Sequence, residues 1–170
     1  MNSVELRVFG ELLRDSKRSD REIAKLLGVS QPTVTRFRHR LVKDGWVRQF
    51  TVVPGFVKLG FRILVFSFFE SRLRKKESGA NDGGLRLLSS PNVVFAAECN
   101  GMGMNGVVVS LHRSYSDYVD FVKNLRLEGG DGLKMADSLI ISLEGSVVKP
   151  FNLNDLAETL HEDDGKQKKT

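Results

Sequence analysis

The chain has 170 residues, 41% of them apolar and 28% charged, with a formal net charge of +5 and one cysteine, Cys99. That apolar content supports a packed core and excludes wholesale disorder, and no run of eighteen apolar residues exists to make a membrane-spanning helix. A single cysteine excludes an intramolecular disulfide, and MNSVELRVFGELLRD lacks the apolar centre of a signal peptide, so a reducing cytoplasm is the expected compartment.

The charge is unevenly placed. Residues 1–60 hold 12 Lys/Arg against 6 Asp/Glu, whereas residues 61–170 hold 14 against 15. A basic module joined to a nearly neutral one is the electrostatic footprint of one part meeting phosphates while the other does not.

A first helix is expected from a Ser3 cap to about Leu13, with Leu6, Phe9, Leu12 and Leu13 on one face. Asp15 to Arg18 is a polar turn. Ser19 and Glu22 then form a capping box, in which each side chain satisfies a free backbone donor of the other. Ile23, Ala24, Leu26 and Leu27 carry helical spacing to Gly28, which supplies the positive φ of a sharp exit. Ser30 caps the next helix and Pro32 is tolerated in its first turn.

Val34, Phe37 and Leu41 form the expected buried stripe of that helix. The small Ala24 lets two helices cross closely. Small residue, glycine four later and an apolar stripe beyond the turn make a helix-turn-helix, whose second helix enters a DNA major groove. The candidate DNA-contacting residues are Ser30, Gln31, Pro32, Thr33, Thr35, Arg36, His39, Arg40 and Lys43. Arg36 and Arg40 suit guanine or phosphate, and Gln31 suits adenine or phosphate. The competing reading is an αα-hairpin with a solvated basic face.

WVRQFTVVP alternates apolar and polar residues up to Pro54 and predicts a short strand or hairpin, a rudimentary wing. GFVKLG, with a glycine at each end, predicts a linker over 54–60. From Phe61 the period changes. FRILVFSFFES predicts β1, RLRKKESGANDGG a loop, and Leu85, Leu87 and Leu88 a short helix stopped by SSPN. VVFAAECN and GVVVSLH predict β2 from Val93 and β3 from Gly106, joined by GMGMNG. Ser114 caps a helix with Tyr115, Tyr118, Val119, Val122 and Leu125 inward, and β4 lies near Leu139.

Strand, helix, strand, strand, helix, strand is the ferredoxin-like βαββαβ order, so the fold class is α+β: an N-terminal winged helix-turn-helix followed by a four-stranded antiparallel sheet. The expected organisation is a DNA-binding domain at 1–53, a linker at 54–60, a dimerisation and effector domain at 61–150, a C-terminal helix at 151–161 and a disordered tail at 162–170. Two helices cover one sheet face, yet β1 is apolar on both, which points to self-association.

A helix-turn-helix, a short linker and a βαββαβ domain together resemble the Lrp/AsnC family of transcription regulators, from about Ser3 to Glu144. The specific pieces are the module order, DGWVRQFTVVP after the second helix, and Leu59-Gly60 before β1. The resemblance implies dimers or larger rings that bind pseudo-palindromic promoter DNA and sense a small molecule, such as an amino acid, at the sheet domain. The candidate effector residues are Gly101, Met102, Gly103, Met104 and Asn105. The chain departs from the family at Arg38, where an apolar residue is usual, and in that loop, which lacks the family's acid.

GMGMNG lacks the trailing lysine and the strand-to-helix setting of a phosphate loop. His39, His112 and His161 lie far apart in sequence, no metal-ligand spacing appears, and no cofactor is expected. The rival readings are a sirohaem-decarboxylase-like enzyme on the same fold, with His112 as its one candidate, and a low-specificity DNA-compacting protein.

Overall fold

A computed structural model describes residues 2–70, 87–129 and 134–166. The chain divides into two compact units, Met1–Val53 with Lys149–Thr170, and Pro54–Val148. The loop expected at 72–84 and most of the helix after it lie outside the described residues, although Leu87 and Leu88 are helical.

The first unit contains α1 (Ser3–Arg14), α2 (Asp20–Leu27), α3 (Gln31–Lys43) and a C-terminal helix, α5 (Asn154–Lys166). Asn2, not Ser3, caps α1: its Oδ1 accepts from the Glu5 amide at 2.8 Å while Glu5 reaches back to the Asn2 amide. The Ser19–Glu22 capping box starts α2, and Gly28 ends it at φ 67°. Val8, Leu12, Ile23, Ala24, Val34, Phe37 and Leu41 form one buried core. Burying each large apolar side chain stabilises by roughly 1.5–3 kcal/mol, so this cluster holds the three helices together.

Helix α5 packs on α1 and buries Ala157 completely. It runs to Lys166, past the expected end at 161, because once a helix is nucleated each added turn costs little and HEDD holds no breaker. Among the described residues no wing strand forms. Residues 47–55 are without regular structure, since a lone strand has no ladder partner, and Phe50, Val52 and Val53 stay exposed.

The second unit opens with a 3₁₀ turn, Phe56–Leu59, in place of an open linker. Gly60 follows at φ 86°, where a Cβ would stand 2.6 Å from Arg113 Nη1. Arg113 stacks on Phe61 and donates to the Leu59 carbonyl, which ties this turn to the sheet.

Strands β1 (Ile63–Phe69), β2 (Val93–Gly101), β3 (Met104–His112) and β4 (Met135–Ser142) form an antiparallel sheet of order β2-β3-β1-β4. Helix α4 (Tyr115–Gly129), capped by Ser114, covers the face carrying Val65, Ser67 and Phe69. Phe121 turns inward and Tyr115 outward, the reverse of the expectation for Tyr115, because Phe121 meets the cluster of Phe69, Leu87 and Val108. The other face carries the row Phe95–Val109–Phe66–Leu139 across all four strands. Phe95 and Leu139 are 56% and 59% exposed, so that apolar row is open.

His112 ends β3 fully buried, with Nε2 2.9 Å from Ser110 Oγ and its ring against Tyr118 and Phe121. Burial holds its pKa below the usual histidine value, and the nearby Asp117 charge offsets only part of that. A depressed pKa means the unfolded chain takes the proton more readily. The stability contributed by neutral His112 is therefore complete above about pH 6.5 and is lost as pH falls toward the lowered value. Urea melts on either side of pH 6.5 are expected to show this loss in the wild type and a flatter dependence in His112→Gln.

Candidate nucleic-acid interface

Ser30 starts α3, its Oγ accepting from the Thr33 amide and lying 2.8 Å from Thr33 Oγ1. The pair Ser30 and Thr33 therefore serves first as a cap. With Val34, Phe37 and Leu41 facing the core, Gln31, Pro32, Thr35, Arg36 and His39 gather around one open concavity of about 720 Å³. Lys43 is exposed in the last turn. Among the described residues no carboxylate lies within ion-pair distance of Arg36 or Lys43, so both charges face outward.

The nine candidates do not form one uniform face. Thr35 Oγ1 donates to Asp20 Oδ2 at 2.6 Å, so its hydroxyl is engaged within the protein. Arg40 Nη1 donates to the buried Glu5 carboxylate at 3.3 Å, and its guanidinium lies over Phe37. Arg40 thus leans toward α1, away from the concavity. A half-exposed arginine so held keeps its charge near the helix while losing freedom to follow a base edge.

Arg38 is the residue the sequence left without a role. It is half-buried, donates through Nε to Asp20 Oδ1 at 2.6 Å and through Nη2 to the Arg18 carbonyl at 2.8 Å. Asp20 receives Thr35 and Arg38 together, joining the start of α2 to the middle of α3. A signal existed in the sequence: a cation at an otherwise apolar helix position needs a carboxylate, and Asp20 opens the preceding helix. Burial alone would raise the Asp20 pKa, but the hydrogen bonds from Thr35 and Arg38 and the Arg38 charge outweigh it and hold the carboxyl below its usual range.

The five effector candidates sit on a hairpin tighter than expected. β2 reaches Gly101 and β3 begins at Met104, leaving Met102 and Gly103 at φ 53° and 75°. Two positive φ values suit a type I′ turn, the two-residue connection whose twist matches the strands. Met102 is 93% exposed, and Asn105 Nδ2 donates to the Glu70 carbonyl at 2.6 Å. Among the described residues no cluster of His, Cys, Asp and Glu could hold a metal.

Residues 1–48 match the winged helix-turn-helix DNA-binding family. The HTH-type transcriptional regulator FL11 of Pyrococcus furiosus is 25% identical over 145 residues, spanning 85% of this chain and 83% of its own. The crystal structure of an AsnC family transcriptional regulator from Agrobacterium tumefaciens superposes with a TM-score of 0.72 at 16% identity, over 92% of this chain and 99% of that one. Residues 1–48 thus carry a helix-turn-helix DNA-binding domain, and the chain has the fold of that AsnC family protein. The transcriptional regulator NMB0573 of Neisseria meningitidis, solved as its L-Met complex, has a TM-score of 0.70 at 16% identity, over 92% and 99% of the two chains.

The setting of α3 depends on Asp20. Asp20→Asn is expected to cost about 1–3 kcal/mol by leaving Arg38 without its counter-charge. Because the Asp20 pKa is lowered, that contribution is complete above the ordinary carboxylate range and is lost as pH falls through the lowered value. Acid titration followed by circular dichroism should show the difference between wild type and variant shrinking as Asp20 protonates.

Proposed function

We propose that the protein binds promoter DNA as a symmetric dimer or larger assembly in the cytoplasm, setting one α3 into each half of a pseudo-palindromic site. The observation that carries this reading is the row of Gln31, Pro32, Arg36 and His39 on the outer side of α3, with the Arg36 charge uncompensated. Arg36 and Gln31 supply base or phosphate contacts. Lys43, Arg40 and the Ser30–Thr33 cap supply phosphate contacts, and Thr35 serves chiefly to hold α3 against Asp20. One helix of such contacts discriminates weakly, so two half-sites are needed, spaced by about 10 bp or a multiple.

The open apolar row Phe95–Val109–Phe66–Leu139 supports a second copy as the cover of the sheet. A C₂ dimer buries the same patch on both subunits and leaves two α3 helices related by its axis. A small molecule acting at the sheet domain, near Gly101 to Asn105, would then be read out as a change in the spacing of those helices. His112 is fully buried and hydrogen-bonded to Ser110, a setting that favours a regulator over a sheet-domain enzyme using that histidine.

Arg36→Ala is expected to weaken binding to an operator by about 1–3 kcal/mol in gel shifts at moderate salt, with the oligomeric state intact. Equal affinity of wild type and variant would remove α3 as the reader. Footprinting should show discrete protected sites, whereas uniform coating would mark a compacting protein. Leu139→Asp is expected to convert the dimer to a monomer by light scattering, and an unchanged mass would place the interface elsewhere.

A further inference from the structure

A cavity of about 170 Å³ opens on the helix-covered side of the sheet, lined by Phe69, Val122, Leu125, Arg126, Lys134 and Met135. It lies near the ends of β1 and β4, whereas the open dimerisation row occupies the opposite face. Four of its six walls are apolar, with Phe69 fully buried and Val122, Leu125 and Met135 half-buried. The remaining two are cations. Lys134 Nζ is 2.5 Å from the Glu70 carboxylate, which therefore balances it. Among the described residues no carboxylate pairs with the exposed Arg126.

These surroundings specify a ligand. A space of about 170 Å³ with mainly apolar walls suits a small group such as a branched aliphatic or phenyl side chain. A guanidinium at the edge of an apolar pocket matches a carboxylate, which it can bind through two parallel hydrogen bonds. An α-ammonium group would need its own anionic acceptor, and the nearby Glu70 carboxylate is already held by Lys134. We propose that this cavity binds an apolar monocarboxylate without an α-amino group, a branched 2-oxo acid or an arylacetic acid, with its carboxylate on Arg126. The site deepens the effector reading by naming a ligand class, but its test reads binding directly and does not depend on DNA recognition.

Calorimetry on the full chain would compare 4-methyl-2-oxopentanoate and phenylacetate with leucine and with neutral 4-methylpentanamide. The two acids are expected to bind, leucine at least about tenfold more weakly, and the amide not measurably. Arg126→Gln should weaken the better acid about tenfold while its ligand-free melting temperature stays at the wild-type value. Val122→Trp, which places a large ring at the cavity wall, should abolish binding altogether. Leucine binding as tightly as the acids, Arg126→Gln binding like wild type, or no acid binding at all would each overturn the proposal. A failed gel shift with intact acid binding would instead count only against the DNA-binding reading.

Discussion

The Asp20 carboxylate accepts hydrogen bonds from Thr35 and Arg38 of the following helix, and the arrangement of the DNA-binding unit depends on that junction. Apolar contacts among Ile23, Ala24, Val34 and Phe37 bring α2 and α3 together, but apolar packing tolerates small rotations. A carboxylate gripped at both oxygens does not. The two bonds lock the rotation of α3 about its own axis, and with it the direction in which Gln31, Arg36 and His39 project. The Arg38 bond to the Arg18 carbonyl extends the grip to the turn before α2. Glu5 acts similarly on the far side, where one buried carboxylate completes the α1 cap and holds Arg40. Cations that resemble one another in the sequence are thus divided between holding the helix and facing outward.

The second unit rests on a different constraint. β1 is central in the sheet and apolar on both faces, so it demands cover twice. α4 supplies one cover, and the row of Phe66, Val109, Phe95 and Leu139 is left for another. The same strand ends at Phe69, which floors the cavity beside Arg126. A ligand in that cavity and a second copy on the opposite face would press on the two sides of one strand, a short physical route between binding and assembly.

Much of this was legible because the decisive signals are local. Capping boxes, the Gly28 exit and the Val34-Phe37-Leu41 stripe act within a few residues, and strand alternation sets its period within seven. The missed features involve partners distant in sequence. The role of Arg38 needs Asp20 eighteen residues away, and Arg40 needs Glu5 thirty-five residues away. The wing read from WVRQFTVVP has good β character, but a strand exists only with a ladder partner, and none of the described residues pairs with it. The hairpin read as a six-residue loop is a two-residue turn, because Met102 accepts a positive φ that a side chain usually avoids.

The sequence by itself determined the order of the elements, the helix-turn-helix and its exposed basic helix, and the two-faced character of β1, since periodicity, caps and charge are written in short windows. Only the tertiary structure decided which of α3's polar side chains remain facing outward, where the C-terminal helix docks, and that Arg126 stands over an apolar cavity. Those outcomes depend on which groups meet across the fold, and a carboxylate or an apolar wall acts over a few ångströms of space whatever its distance along the chain.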